Sequence, residues 1–501
     1  MGLVSRTAET VRREQGTGVT RAPLARRPVG AAMLALAVVL TATSGGYGYH
    51  RDELYFRMLA PAWGYLDQPA LTPLLARTMA AIVDQPWAMR VPATLICVAT
   101  VLLVALITRE VGGGARAQGL AAWGYAFAAF PLVFGHLLLT VTVDLLAWQA
   151  VALLVIRAVL REDGRAWLWA GVVAGAATWN KLLLAGLVVA LVAGLVAVGP
   201  RRLPWRWLLA GAVAGLVIAG PNLVYQATNG WPQLAMGRAL VTVNSGARAQ
   251  VVPFLGLLLG PPLVVVWGAG WWALLRRPEW IQIRFLAVAF PVLVVLALVS
   301  SGQVYYPLGL LTVLYAVGCV PAAGVSRVWW TWLRVGVVVN ALVSALIALP
   351  LVPVSALGVT PVPGINQAAR DQVGWPAYVA QVARVRDTLP EPERDTAIVI
   401  TGNYGEAGAI DRYGPPLGLP EPLSGHNALW AQHRPPATRV TAVIVGKGPL
   451  RVAETFATCT VAATLDNGVG VHNEEQGQPV AVCRSPQETW DAAWPQFRHL
   501  G

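Results

Sequence analysis

The side chains best suited to chemistry begin with the adjacent acids Asp52 and Glu53, in the stretch Tyr47-Gly48-Tyr49-His50-Arg51-Asp52-Glu53-Leu54-Tyr55-Phe56. A carboxylate so placed can take a proton from a hydroxyl that is becoming a nucleophile. More polar groups recur beside apolar runs: Asp67, His136, Asp144, Asn180-Lys181, Gln303, Tyr305 and Tyr306. Only 12% of the 501 residues are charged and 56% are apolar, so each such group is costly to place and defaults to a functional reading. Lys181 is the only lysine before Lys447, and an ammonium is a point charge that suits a phosphate. Plainer readings stand beside these. Asp52 or Glu53 caps a helix, Asp144 meets a helix dipole, and Lys181 snorkels. His136 is an interfacial polar residue, and Tyr305-Tyr306 belong to an aromatic belt.

The elements that must position these groups are apolar helices. Uncharged runs recur from residue 28 to about 352 and the mean hydropathy is +0.57, which identifies a polytopic α-helical membrane protein. About eleven transmembrane helices are expected, at 28–46, 88–108, 118–135, 141–160, 167–180, 182–199, 207–226, 251–275, 284–300, 305–323 and 332–352. The first is read as a retained helix rather than a cleaved signal peptide, because many spans follow it. The segment 167–199 is read as a tight pair turning at Asn180-Lys181. With the N-terminus inside, cytoplasmic loops and tail hold 19 of the 37 Lys and Arg residues, and outer loops hold seven. Merging 167–199 into one helix would erase that bias. Residues 1–27 are then a disordered cytoplasmic tail, 28–352 a membrane domain with a first outer loop at 47–87, and 353–501 an extracytoplasmic region. The net charge of +12 is assigned to topology and anionic headgroups, not to nucleic acid.

On this topology the polar side chains gather at the outer edge. Leu54, Phe56, Leu59 and Trp63 are expected to form the apolar face of a helix lying on the membrane surface, with Asp52 at the boundary. Residues 353–501 are rich in Pro, Gly and charge. An amphipathic helix at 375–389 and buried strands at 396–400 and 441–445 predict a small α/β domain. An outside location is oxidising, so a Cys459–Cys483 pair is expected, with two free thiols as the alternative. No CxxC or His/Cys cluster suggests a structural metal site, and the membrane part carries no GxGxxG or P-loop.

The motif Tyr49-His50-Arg51-Asp52-Glu53-Leu54-Tyr55-Phe56, with Gly64-Tyr65-Leu66-Asp67-Gln68-Pro69, Asp144-Leu145-Leu146 and Asn180-Lys181, resembles glycosyltransferase family 39 of the GT-C class. That family includes protein O-mannosyltransferases and lipid A aminoarabinose transferases, and the bacterial, actinobacterial-type branch is the nearest in pattern. Thr401-Gly402-Asn403-Tyr404-Gly405-Glu406-Ala407 and Ser424-Gly425-His426-Asn427 look like the tail domain of that branch. The resemblance implies a plasma-membrane transferase, hexosyl or pentosyl, that uses a polyprenyl-phosphate sugar with inversion. Its acceptor is a lipid, a glycan or a protein of the cell envelope. It implies Asp52 as base or acceptor ligand, Glu53 as its acidic partner, Asp144 as a second acidic position and Lys181 near the donor phosphate. Relatives often carry Lys-Pro-Pro where this chain has Gln68-Pro69-Ala70, and Lys in place of Gln303. The phosphate contact then falls to Lys181, Arg51 or Arg90. A divalent cation is left open, because the number of acids establishes none. Two other functions fit a polytopic chain: a transporter of lipid-linked sugars, and a non-catalytic envelope assembly protein. A transporter calls for polar groups through the bilayer depth and often for inverted repeats. The sequence shows neither.

Overall fold

A backbone in apolar surroundings must satisfy its hydrogen bonds within its own segment, so the long Ala/Val/Leu/Gly runs fold as helices. The computed structural model describes residues 19–243, 248–300 and 302–501. Residues 1–18 of the expected tail lie outside them. The helices that matter for the site are α1 (Arg26–Thr43), α2 (Arg51–Met58), α3 (Leu71–Ile82), α4 (Val91–Glu110), α5 (Ala115–Ala126), α6 (Ala129–His136), α7 (Thr140–Leu160), α8 (Gly164–Ala177), α9 (Leu184–Val198), α10 (Trp205–Thr228), α11 (Pro232–Val243), α12 (Phe285–Val299), α13 (Leu308–Ala323) and α14 (Arg327–Ala348). Among the described residues, five helices are long and apolar enough to cross a membrane: α1, Pro86–Glu110 (which contains α4), α7, α10 and α14. The α5–α6 pair, bent by 58°, makes a sixth where its two helices count as one span. The chain is therefore a multi-pass membrane protein. Several other segments expected as spans are shorter apolar helices: α9, α12 and α13.

The expected turn at Asn180-Lys181 separates α8 from α9. Glycine explains how it is held. A Cβ on Gly171 of α8 would stand 1.9 Å from the Gly211 carbonyl oxygen of α10, and one on Gly175 would stand 2.4 Å from that of Gly215. The two backbones touch through small residues four apart, a packing mode common in membranes. The C-terminal half of α10 then grips the turn. Asn222 Nδ2 donates to the Thr178 carbonyl at 2.7 Å, and Trp179 Nε1 donates to that of Ile218 at 2.9 Å.

The C-terminal part carries α15 (Trp375–Asp387), α16 (Tyr404–Tyr413) and a five-stranded sheet in the order β2-β1-β3-β5-β4. β1 (Ile398–Thr401) lies parallel to β2 (Pro422–Ser424) and β3 (Thr441–Val445), while β5 (Pro479–Pro486) is antiparallel to β3 and to β4 (Phe456–Thr464). β1 and β3 are buried along their whole length because both faces are covered. Val399 and Val443 pack with Trp375 and Val382 of α15, and Ile400 and Ile444 pack with Trp490, Trp494 and Phe497. Cys459 and Cys483 sit opposite each other on β4 and β5 and are joined by a disulfide.

α2 departs from expectation. Leu54, Phe56 and Leu59 do not face the bilayer. They are buried in a core shared with α15 and the sheet, while Trp63 is 70% exposed. The cause is the glycine face of α16: a Cβ on Gly408 would stand 2.7 Å from the Leu54 backbone. α16 lies directly on α2 and replaces lipid there.

The glycine contact between α8 and α10 gives a direct test. Gly171→Leu forces the helices apart and is expected to lower stability by about 3 kcal/mol, at the upper end of overpacking costs. Thermal unfolding of the purified protein in detergent measures it, and an unchanged Tm would rule out the close contact.

Candidate functional site

The segment leaving α1 turns sharply at Tyr47 (φ 64°) and Gly48 (φ 91°), then starts α2. Gly48 suits the left-handed conformation, and its carbonyl is aimed at Arg90. His50 caps α2: its Nδ1 accepts from the Asp52 amide at 3.1 Å. Glu53 completes a capping box by accepting from the His50 amide at 2.9 Å. The capping reading therefore describes Glu53. Its carboxylate also takes Arg90 Nε at 3.0 Å, Arg90 Nη2 at 2.9 Å and the Leu138 amide at 3.1 Å. Glu53 and Arg90 are both fully buried. Arg90 spends its remaining donors on the carbonyls of Ser44 (2.6 Å) and Gly48 (2.7 Å), on Gln372 Oε1 (3.0 Å) and on His136 Nε2 (3.3 Å).

Asp52, the next residue toward the N-terminus, faces the other way. It borders a cavity of about 360 Å³ whose wall also includes Tyr55, Asp67, Gln68, Lys181 and Tyr404. The cavity sits where helix ends converge: the start of α2, the α6–α7 junction at Thr140, the α8–α9 turn, the α12–α13 junction and α11. Of the side chains singled out in the sequence, Asp52, Asp67, Lys181, Tyr305 and Tyr306 line it. Glu53 and His136 do not; they belong to the Arg90 network. Asp144 and Asn180 lie behind the wall, with Asn180 Nδ2 donating to Asp144 Oδ1 at 2.7 Å and Thr72 Oγ1 donating to Asn180 Oδ1 at 2.6 Å. Gln303 is absent from the lining. Of the three cations offered for a phosphate, Arg90 is spent on Glu53, and Arg51 pairs with Glu474 at 2.5 Å and lies over the Tyr404 ring. Lys181 is the one of them that lines the cavity, with its Nζ 5.4 Å from the Tyr306 ring centre.

Two cavity residues were present in the motifs at 401–407 and 424–427 without an assigned role: Tyr404 and Asn427. Tyr404 Oη donates to Asp52 Oδ1 at 2.9 Å across 352 residues of sequence. Burial and the Asp52 charge push the Tyr404 phenol up, so it remains a donor. Its ring is packed between Tyr55, at 4.8 Å, and His426, at 4.9 Å. No partner within the described protein engages Asp52 Oδ2. Tyr55 Oη donates to Asp67 at 3.0 Å. Burial raises the Asp67 carboxyl to about 7, against the Tyr55 hydrogen bond and with the help of the nearby Asp52 charge. Gln68 is buried with its Nε2 unpaired in the cavity wall. Among the described residues, no group of three or more His, Cys, Asp and Glu is arranged to hold a metal ion.

Residues 67–225 match the model of a family described as dolichyl-phosphate-mannose-protein mannosyltransferase. No curated protein sequence matches the chain. Among solved structures, ArnT from Cupriavidus metallidurans bound to undecaprenyl phosphate is similar over 90% of this chain and 97% of its own, at 15% identity and a TM-score of 0.61. The chain has the GT-C fold. The apo form of the same ArnT gives a TM-score of 0.58 at 16% identity, again over 90% and 97% of the two chains. Arabinofuranosyltransferase AftD from Mycobacteria gives 0.53 at 12% identity, over 94% of this chain and 41% of AftD.

Two measurements probe this GT-C site. Arg90→Gln leaves Glu53 charged and buried without its partner, so stability is expected to fall by about 3–5 kcal/mol. A Tm within the error of wild type would contradict the buried pair. Asp67 has a raised folded pKa, so wild type loses stability as pH rises from the ordinary carboxyl value of 3.8 toward about 7. Asp67→Asn removes that loss. The variant should gain on wild type across that window, and parallel Tm-versus-pH curves would refute the assignment.

Proposed function

We propose that the chain is a plasma-membrane glycosyltransferase that moves a hexosyl or pentosyl group from a polyprenyl-phosphate donor to an acceptor hydroxyl, with inversion. The observation that carries this reading is the cavity that holds a partly free carboxylate, Asp52, and a lysine, Lys181, between aromatic and apolar walls on a GT-C fold. Asp52 Oδ1 is held by Tyr404, which leaves Oδ2 for the acceptor O–H. As the acceptor oxygen attacks the anomeric carbon, its proton passes to Asp52 and the bond from that carbon to the phosphate oxygen breaks. The leaving polyprenyl phosphate gains charge beside Lys181. Leu182, Leu183, Leu234, Met236 and Leu240 give the cavity an apolar side suited to a prenyl chain. Glu53 acts as a positioning residue, and Asp144 and Asn180 support the Lys181 turn. The arginine distribution supports a cavity that faces outward, with the N-terminus inside and the C-terminal part outside. The match over residues 67–225 and the ArnT complex with undecaprenyl phosphate favour sugar transfer over the transporter and assembly readings.

Asp52→Asn removes the base and is expected to lower transfer from a labelled polyprenyl-phosphate sugar by about 10²–10⁴-fold. Tyr404→Phe keeps the ring stack and loses one hydrogen bond to a charged group, so kcat should fall by roughly ten- to a hundredfold. Transfer is assayed in membranes that contain the acceptor fraction of the cell envelope. Full activity of Asp52→Asn would end this mechanism.

A further inference from the structure

A second charged cluster lies at the far end of the bundle from the cavity. α4 leaves Arg90 beside the site and ends at Glu110, about 30 Å away at 1.5 Å per residue. Glu110 is fully buried, and three guanidinium groups converge on it. Arg21 Nη2 approaches Oε1 at 2.9 Å, Arg157 Nη2 approaches Oε1 at 3.0 Å, and Arg161 Nε approaches Oε2 at 3.2 Å. Arg109 joins them, donating to the Ala22 carbonyl at 2.8 Å. Arg161 is also tied to the carbonyls of Val19 and Glu110, at 2.8 and 2.7 Å. Three positive charges thus share one carboxylate, and a fourth, Arg109, stands near Arg21. Burial and the neighbouring Arg109, Arg157 and Arg161 lower the pKa of Arg21, against the pull of Glu110. Among the described residues, Glu110 is the one carboxylate paired with these arginines. The Arg21 side chain is 38% exposed and that of Arg157 is 27% exposed, so both open outward. Arg157 lies in the last turn of α7, at the edge of a membrane-crossing helix.

We propose that Arg21 and Arg157, mounted on Glu110 beside Arg161, form a binding site for a phosphate-bearing anion, with the headgroup of an acidic membrane lipid as its source. Guanidinium forks match phosphate geometry and are weakly hydrated, which suits them to a phosphate at the membrane edge. Glu110 orders the forks, and the surplus charge supplies the attraction. The site also ties residues 19–22 to α4 and α7, so an occupied site would hold that segment against the bundle. It is independent of the sugar-transfer reading.

The test uses the purified full-length protein in nanodiscs of phosphatidylcholine, with and without added phosphatidylglycerol, and separately with inorganic phosphate. Saturating phosphatidylglycerol is expected to raise the Tm of wild type by about 3 °C or more, by mass action on the folded state. R21Q and R21Q/R157Q should lose that rise. R116Q removes one charge from an arginine that lies instead over the Trp330 ring at 4.3 Å, and it should keep the rise. Native mass spectrometry counts retained lipid for any variant whose Tm in phosphatidylcholine alone has dropped, and R21K, which keeps the charge without the fork, should retain less than wild type. No preference for phosphatidylglycerol over phosphatidylcholine, or an equal loss in R116Q, overturns the site. An equal rise with inorganic phosphate alone overturns its lipid source.

Discussion

The buried ion pair between Glu53 and Arg90 is the constraint on which the site depends. A buried pair repays its desolvation only when every remaining donor and acceptor is satisfied. Here the Glu53 carboxylate takes four hydrogen bonds, and Arg90 bonds the α1 exit, Gln372 and His136 as well. One side chain therefore fixes the meeting point of α1, α2, α4, the α6–α7 junction and the segment before α15. Neighbouring residues on a helix point about 100° apart. With Glu53 locked inward, Asp52 is turned toward the cavity. The two acids share a motif and a helix, but their surroundings separate them into a strut and a reactive group.

The cavity is formed by ends rather than by faces. Helix termini are where turns, caps and unpaired backbone groups occur, so polar side chains are tolerated there at the edge of an apolar bundle. Lys181 reaches the cavity because the glycine contacts of α8 and α10 bring the two backbones together, and because Asn222 and the Trp179 indole fix the turn that carries it. The C-terminal part closes the same end. Gly405 and Gly408 let α16 lie on α2, and this contact brings Tyr404 to Asp52.

Much of the site could be read from residue types. Asp52, Asp67, Lys181, Tyr305 and Tyr306 stood out because charge and paired aromatics are rare in so apolar a chain, and all five line the cavity. Gln303 stood out as a departure from relatives, yet it does not line the cavity. His136, Asp144 and Asn180 drew attention for the same polarity, yet each is engaged within the protein. Polarity beside an apolar run shows that a group must be stabilised, and it does not show whether a ligand or a neighbouring side chain does so. Tyr404 gave only the weak signal of its motif, since a tyrosine before a glycine-rich helix has many uses.

Composition and periodicity by themselves determined a multi-pass helical chain, a C-terminal α/β segment with its first and third strands, and a turn at Asn180-Lys181. These follow from local rules: apolar backbone must pair with itself, and alternation or continuity of apolar residues chooses strand or helix. Only the tertiary structure decided which way each polar group points. It turned Asp52 to the cavity and Glu53 to Arg90, spent Arg51 and Arg90 on ion pairs, covered Leu54 with α16 instead of lipid, and joined Tyr404 to Asp52 across 352 residues. Those choices rest on close approach between distant segments, and spacing along the chain does not encode it.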